Sequence, residues 1–164
     1  MKLKGGFECD IPQKELVKQI LNKLFSGYTI TYDIENENNK MAPVDMIFTA
    51  TSNSNELKYA IELKQRLKDH TDYNGDWVIN DEKYDWLKRY KSSGYSSYYL
   101  CTFNDGYYAI WSIDDIEKYH TEDTFYIKPH TQADWNEKRV PQHRLIINNK
   151  YAKLLEKYDK YRNS

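Results

Sequence analysis

The sequence predicts an α/β fold built on a mixed β-sheet flanked by helices, and three features predict it. Apolar residues recur at helical spacing near the N-terminus. Short β-branched and aromatic runs follow, separated by turn residues. Helical spacing then returns ahead of two further strands. The expected order is helix, three strands, helix, two strands, and a C-terminal extension of short strands and a helix.

Asp10 and Pro12 open the first helix, because proline suits a first turn, and Leu16, Val17, Ile20, Leu21 and Leu24 mark its apolar face up to a stop at Gly27. Tyr28 to Ile34 alternates and reads as a strand, with a polar loop from Glu35 to Lys40. Val44 to Ala50 and Leu57 to Lys64 are the next two strands, around the turn-rich Ser52-Asn53-Ser54-Asn55. A loop from Asp69 to Asp76 leads to a helix over about 79–92. Tyr98 to Phe103 and Tyr107 to Trp111 form a hairpin, since Asn104-Asp105-Gly106 supplies tight-turn chemistry. Beyond it come a short helix at Ile113–Tyr119, strands at Phe125–Lys128 and Arg144–Ile147, and a terminal helix from Lys150 to Arg162.

A chain of 164 residues is the size of one domain, taken here as 1–164 with a core over about 8–112 and the extension over about 113–164. With 40% hydrophobic residues and a net charge of −1, it is an ordinary globular sequence without a global basic footprint, so any nucleic-acid surface must be local. Cys9 and Cys101 match no zinc or redox spacing and read as small apolar residues. Membrane partners are not expected, because no apolar run reaches spanning length. The N-terminus lacks the apolar stretch of a signal peptide, which points to a cytoplasmic protein. Abundant Lys, Asn and Tyr suit an AT-rich bacterial or phage genome, hence a bacterial cell or phage-infected host.

The chemistry gathers on the second and third strands. A hairpin centred on Ser52-Asn53-Ser54-Asn55 sets Met46 opposite Ile61, Phe48 opposite Tyr59, Val44 opposite Leu63 and Asp45 opposite Glu62. Lys64 projects from the same side as Glu62, because strand side chains alternate. Two carboxylates roughly 5 Å apart at an effective dielectric near 20 repel by about 3 kcal/mol, a cost that a bound cation removes. Magnesium prefers carboxylate oxygens and bridges to phosphate, so the group suits phosphodiester hydrolysis by a metal-activated water. Lys64 would orient that water or offset developing charge. The competing reading is a solvated Asp45, Glu62 and Lys64 ion cluster on the outer face of the sheet.

With Pro43-Val44-Asp45 on one strand and Glu62-Leu63-Lys64 on the next, the sequence resembles the PD-(D/E)xK nuclease superfamily over roughly residues 8–112, in particular its small resolvase-like or phage-type members. The resemblance implies a restriction-endonuclease-like core and a Mg2+-dependent (or Mn2+-dependent) deoxyribonuclease, with DNA favoured over RNA. It also implies Asp45, Glu62 and the Leu63 backbone carbonyl as metal ligands, with Lys64 assisting hydrolysis. Val44 between proline and aspartate departs from the tightest form of the motif. Glu15 fits the glutamate that many members carry on the first helix and would complete the catalytic and metal set. It equally suits an acidic first helical turn, and Glu8 is a substitute. Resolvase-like relatives often work as dimers, so a homodimer is compatible with the resemblance, although no residue identifies its face.

Nucleic-acid contacts are expected from Gln65, Arg66 and Lys68 beyond the third strand, from Lys83 on the following helix, and from Lys138, Arg139 and Arg144 in the locally basic extension. Solvated charge explains such residues as readily. The four histidines make no metal-binding pair, and most of the sixteen tyrosines sit at core positions. Absent nucleophile-elbow, P-loop and dinucleotide motifs disfavour those enzyme classes. The alternative to a nuclease is a catalytically inactive module of the same fold that binds nucleic acid or protein.

Overall fold

The computed structural model describes residues 6–127 and 140–158. Helix α1, Gly6–Leu24, runs through Asp10 and Pro12 instead of starting there. Strand β1 covers Thr29–Tyr32. A short helix α2, Ile34–Asn38, replaces the expected polar loop, because Asp33 caps it by accepting a hydrogen bond from Asn36 N–H. Strands β2, Met46–Ser52, and β3, Asn55–Gln65, meet in a two-residue turn, with Asn53 in the left-handed conformation at φ 54. Their register is the expected one, Met46 against Ile61 and Phe48 against Tyr59.

The expected helix over about 79–92 divides into strand β4, Asp76–Asn80, and helix α3, Asp81–Ser92. Trp77 and Ile79 alternate into the core with the period of a strand, and Asn80 ends the strand by accepting from Glu82 N–H as the helix cap. Strands β5, Ser96–Thr102, and β6, Tyr107–Ser112, form the anticipated hairpin, with Gly106 at φ 85 in its turn. Helix α4, Ile113–Tyr119, and strands β7, Thr121–Ile127, and β8, Val140–Asn148, follow.

The terminal helix expected from Lys150 is not formed within the described residues. A 3-10 turn at Asn149–Tyr151 leads instead to strand β9, Leu154–Lys157, antiparallel to β6. Two causes favour the strand. Pairing covers the open edge of β6. The apolar stripe also divides between the sheet's two faces, Leu154 and Tyr158 packing on one side and Tyr151 on the other.

The main sheet has six strands in the order β1-β2-β3-β5-β6-β9, parallel only between β3 and β5. A smaller antiparallel sheet runs β4-β8-β7. One face of the main sheet packs on α1 through Val17, Ile20, Leu21, Met46, Phe48, Ile61 and Leu100. The other packs on α3, α4 and the smaller sheet through Ala60, Leu87, Tyr99, Trp111, Ile116, Leu145 and Ile147. Val44 belongs to this second cluster, not to the apolar face of Met46, because the β2 ladder begins after it. Among the described residues, no helix is long and apolar enough to cross a membrane.

Candidate active site

Asp45 lies on the bend that leads into β2, where its neighbours are fixed from outside the strand. Asn36 of α2 donates its side-chain amide to the Val44 carbonyl at 3.0 Å, and Lys83 of α3 donates to the Pro43 carbonyl at 3.3 Å. The Asp45 carboxylate then accepts the Leu63 backbone N–H at 2.9 Å, continuing the hairpin with a side chain where the backbone ladder stops. This bond holds Asp45 beside Glu62.

Glu62 is buried to 6% exposure, on the sheet face that packs against α3. Its Oε1 meets Lys83 Nζ at 3.2 Å, and its Oε2 is buried without a hydrogen-bond donor. Burial, followed by the neighbouring charge of Asp45, pushes the Glu62 carboxyl up to about 8 against the opposing pull of Lys83. A buried carboxylate with an unserved oxygen and a second carboxylate beside it is a site that gains from a hard divalent cation. The donor set fits that ion.

One cavity lies beside each carboxylate, and Lys83 lines both. One, of about 480 Å³, is bounded by Glu62, Lys64, Arg66, Asn80, Tyr99, His143 and Arg144. The other, of about 780 Å³, lies over Asp45 and is bounded by α1 and α2 through Lys14, Glu15, Lys18 and Glu37. Lys64 is exposed on β3 on the same side as Glu62. Glu15 is exposed in the third turn of α1, not the first, and shares a cavity with Asp45. Among the described residues, no set of three or more His, Cys, Asp or Glu side chains is arranged to hold a metal, so Glu15 does not close the pair into a triad. Leu63 contributes its N–H to the site through Asp45.

The expected nucleic-acid residues divide. Arg144 on β8 lines the cavity beside Glu62, and so does Lys83. Arg66 also lines it, but is tied inward, donating to the Val78 carbonyl at 2.6 Å and to Tyr99 Oη at 3.0 Å, with its guanidinium 5.5 Å from the Trp77 ring centre. Gln65 is exposed on the opposite side of the strand from Glu62, and Lys68 lies past the strand's end; neither lines the cavity. Lys138 and Arg139 lie outside the described residues.

Sequence reasoning missed Asn36, Asn80, Tyr99 and His143. The Asp33 cap signal could have found α2 and hence Asn36, and the alternation of Trp77 and Ile79 could have found Asn80. His143 has no sequence signal. Its Nδ1 meets Asp81 Oδ2 at 2.7 Å, a contact that raises its pKa, and its Nε2 lies 3.4 Å from Glu122. Cys101 is a free, buried thiol on β5.

No protein-family model matches the sequence, and no curated protein matches it significantly. Solved structures do. A nuclease from a fusselovirus, D212, superposes with a TM-score of 0.52 at 15% identity, covering 93% of this chain and 89% of that one. Hjc of Archaeoglobus fulgidus, a Holliday junction resolvase from an archaeal hyperthermophile, gives a TM-score of 0.48 at 12% identity over 88% of this chain and 94% of that one. The chain has the mixed α/β fold of the fusselovirus nuclease.

Proposed function

We propose that the protein is a metal-dependent nuclease that hydrolyses phosphodiester bonds in DNA, with its site at Asp45, Glu62 and Lys64. One observation carries this reading. In a nuclease fold, the Asp45 and Glu62 carboxylates are held together at the end of the β2–β3 hairpin, with Glu62 Oε2 buried and unserved.

Asp45 and Glu62 would hold Mg2+ or Mn2+, with the Leu63 carbonyl as a further oxygen donor and Glu15, which lines the cavity over Asp45, as an outer ligand beyond the direct donor set. When bound, the ion would supply a water of lowered pKa and offset charge at phosphorus. Lys64, free of the buried packing that fixes Glu62, would orient that water and stabilise charge on the phosphate oxygens. Arg144 and Lys83 would position the backbone of the strand, and Lys138 and Arg139 would extend the contact. Arg66 acts behind them by fixing β3 to β4. The reading carries a cytoplasmic location with it.

Metal-dependent thermal stabilisation tests the site. A ligand that binds only the folded protein raises its melting temperature. Mn2+ and Mg2+ should stabilise the wild type, and Asp45→Ala should abolish the shift. Equal shifts in both proteins would place metal binding elsewhere. The absence of any shift would favour a fold that binds without turnover.

A further inference from the structure

We infer that Lys83 is a built-in counter-ion of the Asp45–Glu62 pair, which the metal must displace. The inference rests on the reading above and adds how access to that site is set. Lys83 comes from the first turn of α3, a different element from either carboxylate, and its ammonium reaches both Glu62 Oε1 and the Pro43 carbonyl. It therefore bridges β3 to the bend that carries Asp45. Lys64, the lysine of the motif, is exposed on its own strand and makes no ion pair among the described residues. Lys83 lines both the cavity beside Glu62 and the cavity over Asp45, so it borders either approach to the pair.

The physical consequence follows from charge. When both carboxyl groups of this buried pair are ionised they require a cation, and without metal the ammonium supplies one unit of it. A divalent ion beside Asp45 and Glu62 repels that ammonium, so uptake breaks the Lys83–Glu62 contact and frees the side chain toward the cavities. Lys83 thus keeps the site ordered without metal and sets the metal concentration at which it fills.

Calorimetric titration with Mn2+ compares wild type, Lys83→Met, Lys83→Gln and Lys88→Met, the last removing the same charge farther along α3. Both Lys83 variants should bind Mn2+ roughly tenfold more tightly than wild type, and Lys88→Met should bind as wild type does. In parallel, an amine-reactive reagent read by mass spectrometry should label Lys83 of the unmutated protein faster with Mn2+ than with EDTA, with labelling of Lys88 unchanged. Unchanged or weaker Mn2+ binding in both Lys83 variants, or Lys83 labelling that does not respond to Mn2+, overturns the exchange while leaving the nuclease reading intact. A wild type that takes up no Mn2+ overturns both.

Discussion

Glu62 concentrates the chemistry of the site in one side chain. Its carboxyl titrates near 8 because it is buried and faces Asp45, well above the ordinary value of 4.5. A group whose folded pKa is raised in this way binds a proton in the folded state that the unfolded chain has already lost. The metal-free protein should therefore lose stability as pH rises from about 4.5 to about 8. Glu62→Gln should flatten that slope and melt higher than wild type near pH 8 in EDTA; an unchanged slope would mean that Glu62 is not the group responsible. Because the metal takes the ionised carboxylate, metal uptake at neutral pH should release a proton, and affinity should rise with pH up to about 8. Titration in buffers of different ionisation enthalpy counts that proton. None of this was legible in the motif Glu62-Leu63-Lys64, which marks the residue types and the strand but not the depth of burial or the reach of Lys83 from another element.

Helix caps and turns carry these side chains to their places. Asn80 caps α3 and also lines the cavity, so Asn80→Ala should cost about 1 kcal/mol in urea unfolding and loosen the helix end that presents Lys83. No loss of stability would show that the Asn80 cap contributes nothing. The β2–β3 register was legible because alternation on both strands and the intervening turn admit one pairing that buries Met46, Phe48 and Ile61 together. Strand β4 was hidden because Val78 and Ile79 continue smoothly into the apolar spacing of α3. Strand β9 was hidden because a stripe of Tyr151, Leu154, Leu155 and Tyr158 satisfies a helix on its own, and the strand is selected by the open edge of β6 and by packing on the sheet's two faces. Local pattern decides elements whose partners are adjacent in sequence, and long-range pairing decides the rest.

The assembled molecule places a main sheet between α1 on one side and α3, α4 and the smaller sheet on the other, and the candidate site sits where the second group meets β3. The smaller sheet brings Arg144 to the cavity of Glu62, which lies some eighty residues earlier, a juxtaposition that no local motif encodes. Binding of DNA through such basic residues should weaken as salt rises, roughly in proportion to the number of phosphates contacted. Arg144→Ala should reduce that slope in fluorescence anisotropy; an identical slope would remove Arg144 from the interface. Cleavage is the most direct test. Labelled linear, single-stranded, branched and circular DNAs, with RNA alongside, are incubated with wild type and Lys64→Ala in Mg2+, Mn2+ and EDTA. Metal-dependent cutting of DNA that Lys64→Ala abolishes is the expected result. No cutting of any substrate in either metal at high protein concentration, or cutting that persists in EDTA, would contradict a metal-dependent nuclease centred on Asp45, Glu62 and Lys64.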